Sequence, residues 1–400
     1  MKRQVENLSY DVMRITKLET FLANCGLRNY LFLRLTTDTG LTGVGEATLE
    51  WQELTVQTLI HEWLEERILG VNPLDIEQTF GNLIRDQYQG GSTVMTAISG
   101  AEIACWDLVG KACGQPVYKL LGGRARERLP AYANGWYGGA QTPQQYAEKA
   151  NEVVSRGYGG MKFDPLSVAW KEMSREEMDD AEQIVAAVRQ AVGSEIDLMI
   201  EVHGRLSVSC AIEMGRRLAK YDPAWYEEPV TPHSLDQLLE VKQALPFPIA
   251  AGERLYMLEE FERLAALRAC DVVQMDLAHC GGLHVGKKIA ALAQPQDMLL
   301  SPHCSIGPVA LCAALHFDWS TPHVLVQENF AEYDVPWRND LVCGWNPIHR
   351  GEFVLPDKPG LGIELNEDAI AKHPYQKHSF PSLWDQRWVQ EFTKKNEPSH

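Results

Sequence analysis

Leu198-Met-Ile-Glu201-Val-His203, Ala224-Trp-Tyr-Glu227-Glu228-Pro229 and Ile249-Ala-Ala-Gly-Glu253-Arg254 decide the fold of this chain. Each stretch closes a short apolar run with a glutamate, and Glu201, Glu227 and Glu253 recur at intervals of 26 residues. A strand, a crossover helix and two loops take up about 25–30 residues. Equal spacing therefore predicts one carboxylate at the same end of three successive parallel strands. A lone glutamate at a strand end is usually a solvated or capping side chain. Three in register form an all-oxygen donor set suited to a hard divalent cation such as Mg2+. Side chains alternate along a strand, so only one of Glu227 and Glu228 can face that site, and Glu227 is the one that keeps the register.

Outward from these stretches, eight strand-like runs occupy residues 129–133, 160–164, 196–201, 224–227, 248–252, 272–276, 298–301 and 324–327. Amphipathic segments at 178–192, 208–221, 235–245, 258–270 and 308–320 lie between several of them. This alternation predicts an α/β fold with a parallel sheet, and eight strands let it close as a TIM-like barrel. An open doubly wound sheet is the alternative. It would carry a glycine-rich phosphate loop after an early strand, and Gly135-Trp-Tyr-Gly138-Gly139 lacks that spacing. Upstream, β-rich runs at 30–37 and 41–46 flank Asp38-Thr-Gly40, the pattern of a hairpin. Helical patterns follow at 52–69, 73–87 and 92–113, the last stopped by Gly114 with Pro116 beyond it. Residues 1–125 thus read as an α+β unit, 126–358 as the barrel, and 359–400 as a segment expected to return to the first unit.

With 400 residues, 45% of them hydrophobic, the chain can bury a large core. A net charge of −17 argues against nucleic acid or an anionic membrane as partner. The nine cysteines form no CxxC pair, which favours free, buried thiols over disulfides or zinc. The start lacks the apolar core of a signal peptide and no run is long enough to span a bilayer, so a soluble cytoplasmic protein is expected.

Barrel enzymes place their chemistry at the C-terminal ends of the strands. There lie Lys162, Asp164, Glu201, His203, Glu227, Glu253, Asp276, His303 and Glu328. If its strand continues, His203 shares a face with Glu201 and is a metal ligand or an acid beside the metal; in a loop it is an ordinary hydrogen-bonded histidine. Asp276 and His303 lie 27 residues apart, one βα unit, and can form a dyad in which the carboxylate raises the basicity of the imidazole. Such a pair in isolation is structural about as often as it is catalytic. Lys162 and Asp164 either pair with each other or contact an anionic substrate. Glu328 is either a protonated donor to developing negative charge or a surface acid.

Read together, these residues resemble the enolase superfamily in its mandelate racemase branch. The ordered matches run from Thr37-Asp38-Thr-Gly40, Gly43-Val-Gly45-Glu46-Ala47 and Trp106-Asp107 through Leu120-Leu-Gly122-Gly123. They continue through Glu227-Glu-Pro, Gly252-Glu253-Arg254, Gln274-Met-Asp276, Pro302-His303 and Gln327-Glu328. The resemblance implies a (β/α)7β barrel under an α+β capping domain built from both chain ends. It implies one Mg2+ per subunit on Glu201, Glu227 and Glu253, with His303 as general base, Asp276 as its partner and Glu328 hydrogen-bonded to an enediolate. Glu201-Val-His203-Gly-Arg205 is similar to the sugar-acid dehydratases of the D-galactonate type, which assigns His203 as the acid for the departing hydroxyl. The expected reaction converts an aldonate to a 2-keto-3-deoxy sugar acid in a symmetric homo-oligomer. Loops near Cys25-Gly26-Leu27 and Glu50-Trp51 would shape the polyol end, and Lys162, Asp164, Arg205 and Trp337 are further candidate substrate contacts. Two departures stand out: the first ligand is glutamate where the family usually has aspartate, and Asp164 replaces the second lysine of the racemases' Lys-x-Lys. That replacement favours elimination over the rival reading, a racemase or epimerase with Lys162 as second base. A catalytically silent binding homologue is the other rival.

Overall fold

The structure, a computed structural model, describes residues 13–343 and 345–378. Strands β1 (Ile15–Asn24), β2 (Asn29–Thr37) and β3 (Thr42–Glu46) form an antiparallel sheet. The β2–β3 turn uses Gly40 at φ 81°, and the Thr37 hydroxyl accepts the Leu41 N–H at 3.1 Å. A long helix, Ser92–Cys113, packs on this sheet and stops at Gly114, which is left-handed at φ 64°. Two glycines permit that contact, since a Cβ on Gly45 would overlap the carbonyl oxygen of Gly100 in the helix.

Eight parallel strands follow: β4 (Ala131–Ala133), β5 (Gly160–Phe163), β6 (Asp197–Glu201), β7 (Trp225–Glu227), β8 (Ile249–Ala251), β9 (Val272–Val273), β10 (Leu299–Leu300) and β11 (Gln327–Asn329). Their order is β10-β9-β8-β7-β6-β5-β4-β11. A parallel bridge between Leu300 and Val324, with the Leu325 N–H donating to the Leu300 carbonyl at 2.7 Å, joins the two ends. The sheet is therefore a closed barrel and not an open doubly wound one. Tyr132, Met199, Trp225, Ala250, Val272 and Val326 pack together as its interior. A helix follows each of β4 to β10, the last two being Gly282–Ala293 and Pro308–Trp319. Among the described residues β11 is followed only by short elements, which makes the barrel (β/α)7β.

These last two helices begin after Gly281 and Gly307, which supply no side-chain cap. The N-terminal unit supplies it instead. Glu102 accepts the backbone N–H groups of Leu283 and His284, each at 2.8 Å, and the Trp106 indole N–H. Burial pushes its carboxyl up to about 8 against those three donors. Glu46, fully buried, accepts the N–H groups of Gly307 (2.7 Å), Val309 (3.1 Å) and Ala310 (2.9 Å). Carboxylates suit these positions because helix N-termini present unpaired N–H groups and a positive dipole end.

At the other end of the chain, the His373 carbonyl accepts from Asn24 N–H at 2.7 Å, and Asn29 and Gln376 exchange two hydrogen bonds. The segment thus reaches β1 and β2 within the described residues; 379–400 of the expected returning piece lie outside them. The nine cysteines are free thiols, buried except for Cys113 and Cys343. No helix among the described residues is long and apolar enough to cross a membrane.

Candidate active site

Every barrel strand sends a polar residue to the same mouth: Asn134 after β4, Lys162 on β5, Glu201 and His203 from β6, Glu227 on β7, Glu253 after β8, Asp276 after β9, His303 after β10 and Glu328 on β11. Parallel pairing sets Glu201 directly beside Glu227. One carboxylate oxygen from each of Glu201, Glu227 and Glu253 lies within 4.8 Å of the other two. Burial pushes Glu201 up to about 7 despite Lys162, and burial with the charge of Glu201 pushes Glu227 well above the carboxylate range. Three crowded carboxylates in this setting need compensating positive charge. The all-oxygen donor set suits a hard divalent cation. Lys162 supplies part of that charge: its Nζ donates to Glu227 Oε1 at 2.5 Å and Glu328 Oε1 at 3.0 Å, with Glu201 Oε2 at 3.5 Å. Glu228 turns away and pairs with Arg254, whose Nε donates to it at 2.7 Å.

Two histidine–carboxylate pairs flank the triad. His303 Nδ1 is 2.8 Å from Asp276 Oδ2, and Asp276 Oδ1 is held in turn by the Ala278 N–H. His303 Nε2 faces Glu253 at 3.6 Å and Glu328 at 3.8 Å. Burial lowers the imidazole's proton affinity, but Glu253, Glu328 and Asp276 overcome it and raise His303 to about 10. Its free nitrogen is thus aimed into the cluster, and compensation of those acids' charge frees it to accept a proton. The second pair is His203 and Asp164, with Nδ1 to Oδ2 at 2.9 Å. Strands β6 and β10 are four apart in a closed set of eight, so the two histidines enter from opposite sides of the mouth.

The structure revises several expectations. The β6 strand ends at Glu201, and His203 sits in a left-handed turn at φ 54°; its place in the site comes from that turn and from Asp164, not from strand periodicity. Lys162 and Asp164 do not pair with each other, because β5 ends at Phe163 and Asp164 turns toward His203 and Arg205. Asp164 is a positioning carboxylate and lies outside the cavity lining. Arg205 is likewise no substrate contact: it is 0% exposed, gives Nη2 to both Asp164 oxygens at 2.7 and 2.6 Å, and gives its other nitrogens to the Val202 and Ser167 carbonyls. Trp337 stacks on His373 at 4.3 Å and donates to the Asn24 carbonyl, so it ties the returning segment down and does not line the cavity. Glu328 is not a protonated donor here. Burial would raise its carboxyl, but Lys162, His303 and the Cys304 N–H hold it at about 2, as an ionised acceptor.

The cavity over these groups measures about 720 Å³. Leu27, Arg28, Glu50 and Trp51 of the N-terminal unit wall it from above, and His378 reaches it from the returning segment. Asn134, which donates to Glu328 at 2.8 Å, was missed in the sequence, although the strand-end rule applied to the first run points to it. Arg28, His279 and His378 carry no comparable signal, because only tertiary packing brings them here.

The family model described as "Enolase C-terminal domain-like" matches residues 145–369, and that of the "Mandelate racemase / muconate lactonizing enzyme, N-terminal domain" matches 11–122. The chain is 35% identical to a D-gluconate/D-galactonate dehydratase of Picrophilus torridus, over 92% of this chain and 91% of that protein. It is 34% identical to a D-galactonate dehydratase of Xanthomonas campestris, over 90% and 94% respectively. A solved mandelate racemase/muconate lactonizing enzyme from a Jannaschia species superposes with a TM-score of 0.85 at 33% identity, covering 92% of this chain and 99% of that one. With both family models matched in order and the mouth residues in place, the chain belongs to the mandelate racemase/muconate lactonizing enzyme family of the enolase superfamily.

Proposed function

We propose that this protein is a divalent-metal-dependent sugar-acid dehydratase, a hydro-lyase that converts an aldonate of the D-galactonate kind into a 2-keto-3-deoxy sugar acid. The observation that carries the reading is the pair of histidine–carboxylate dyads on opposite sides of one carboxylate triad. Such an arrangement can remove a proton from one carbon and protonate a leaving group on the next. Relatives named D-gluconate and D-galactonate dehydratase support the substrate class. Glu201, Glu227 and Glu253 would hold Mg2+, which when bound supplies positive charge for the substrate's carboxylate end.

His303 Nε2 takes the C2 proton while Asp276 holds Nδ1–H and so fixes the tautomer. The C2–H electron pair moves toward the carboxylate, where Lys162 adds positive charge. The C3–O bond then breaks, and His203 delivers its Nε2 proton to the departing hydroxyl, which leaves as water. The resulting enol tautomerises to the 2-keto acid. Lys162 is a poor second base for a racemase, because its Nζ is already engaged by Glu227, Glu328 and Glu201. The test is His303→Asn with an aldonate in D2O: exchange of the C2 proton should vanish. Exchange at the native rate would overturn the assignment.

A further inference from the structure

The N-terminal unit closes the cavity with two loops that are tied together. Asn29 N–H and Trp51 N–H both donate to Glu53 Oε1, at 3.1 and 3.0 Å, and the Trp51 indole donates to the Leu27 carbonyl at 3.0 Å. On these loops Arg28 Nη1 donates to Glu50 Oε1, and the Ser305 hydroxyl of the barrel lies 3.4 Å from the same oxygen. Arg28 Nη2 is 3.9 Å from the buried Asp334, and its guanidinium lies over the Phe330 ring at 5.1 Å. Four residues before Glu50, Glu46 is locked onto the start of the Pro308–Trp319 helix. The Arg28–Glu50 pair is therefore a fixed feature of the cavity wall.

We propose that the Arg28–Glu50 pair reads the end of the substrate away from the metal-binding carboxylates, admitting an uncharged, hydroxyl-bearing end and rejecting a second carboxylate. The inference rests on the sugar-acid reading and narrows it to monoacids. Among the described residues lining the cavity, each lysine and arginine is already matched by acids of the chain. Lys162 is shared by Glu227, Glu328 and Glu201; Arg254 is held by Glu228; Arg28 is held by Glu50 beside Asp334. A second carboxylate would have to displace Glu50 from Arg28 and then lie beside the charge it displaced. A hydroxyl meets no such conflict, since it can donate to Glu50 and accept from Arg28 with no change in charge. Specificity then comes from the element that repels the wrong ligand.

The test is calorimetric binding in the presence of Mg2+, with D-galactonate, D-gluconate and the diacid of each made by oxidation at C6. For the wild type, at least one monoacid should bind about 100-fold or more tightly than its diacid, the scale of a like-charge clash. Glu50→Gln keeps the shape and removes the charge, so it should narrow that ratio at least about tenfold by strengthening diacid binding. Arg28→Met leaves Glu50 charged, so it should weaken the monoacid and still exclude the diacid. Equal binding of monoacid and diacid by the wild type would overturn the proposal. So would a ratio unchanged by Glu50→Gln, or diacid binding strengthened as much by Arg28→Met as by Glu50→Gln. Release of keto acid is read separately. An unchanged ratio with normal dehydration refutes the monoacid proposal alone, whereas the expected ratios without any dehydration refute the dehydratase and leave the monoacid site.

Discussion

Replacing Asp164 by Asn should separate the two halves of the proposed reaction. Asp164 holds His203 Nδ1 at 2.9 Å and carries the charge opposite Arg205, whose Nη2 lies 2.7 and 2.6 Å from its oxygens. Arg205 is 0% exposed and cannot turn to water when that charge is lost. Breaking a buried pair by removing one partner costs about 3–5 kcal/mol. Bonds to the Val202 and Ser167 carbonyls survive, so the lower end, about 3 kcal/mol, is expected. At roughly 2–4 °C per kcal/mol for a large domain, Tm should fall by about 6–12 °C. Adding Arg205→Met should restore part of the loss, because no unpaired charge then stays buried. In catalysis the variant leaves His203 without the carboxylate charge that orients it and supports its protonated form, but does not touch the His303–Asp276 pair on the far side of the mouth. Dehydration should drop by about 10²- to 10⁴-fold, the range for loss of a positioned acid, with C2 proton exchange reduced less than about tenfold. The assay pairs scanning calorimetry with NMR of exchange in D2O and keto-acid detection. A parallel fall in exchange and dehydration, or an unchanged Tm, would refute the reasoning.

Three further outcomes follow from the same structure. His316 is fully buried and neutral, with Nδ1 accepting Tyr118 N–H and Nε2 donating to the Leu361 carbonyl, and burial lowers its pKa to about 4. Its folded value lies below the unfolded one near 6.5, so its contribution is intact above pH 6.5 and is lost as pH falls toward 4, by about 3 kcal/mol in all; Tm scans from pH 7 to 4 should show a shallower acid limb in His316→Gln. Mg2+ at about 100 times its Kd should stabilise the wild type by about 2.7 kcal/mol, and a chelator should reverse this; Glu227→Gln should abolish most of the shift in the same melting assay. Gly45→Ala drives a methyl group into the backbone oxygen of Gly100, and with strand and helix both unable to yield, urea unfolding should show a loss of about 3 kcal/mol or more.

Much of the barrel was legible because its signals are local. Seven of the eight strands fall inside the runs expected for them, and β11 begins at Gln327, where its run was expected to end. The Ser92–Cys113 helix keeps the expected limits because Gly114 and Pro116 mark its end chemically. The helix expected at 73–87 starts later, at Ile76, and the one at 52–69 contains a π-helical turn over Ile60–Leu64, which no local pattern announces. Glu201, Glu227 and Glu253 were legible because a parallel barrel turns a spacing in sequence into a position in space. Arg205 and Trp337 were misread for the opposite reason. Both lie near the site in sequence or in space, but an arginine's partners are decided by tertiary packing, here the buried Asp164, and Trp337 is claimed by His373.

Glu46 and Glu102 give the cap over the barrel a significance for how such an enzyme can change. The loops that bear Arg28 and Glu50 can be rewritten residue by residue, because they sit on a scaffold held from elsewhere. The scaffold itself cannot be exchanged so freely: a transplanted N-terminal unit without those two glutamates would leave two barrel helices with uncapped, water-excluded starts directly behind Asp276 and His303. New substrates are therefore reached most readily through the loops, while grafts of the whole unit succeed only when they carry an acid to each of those helices.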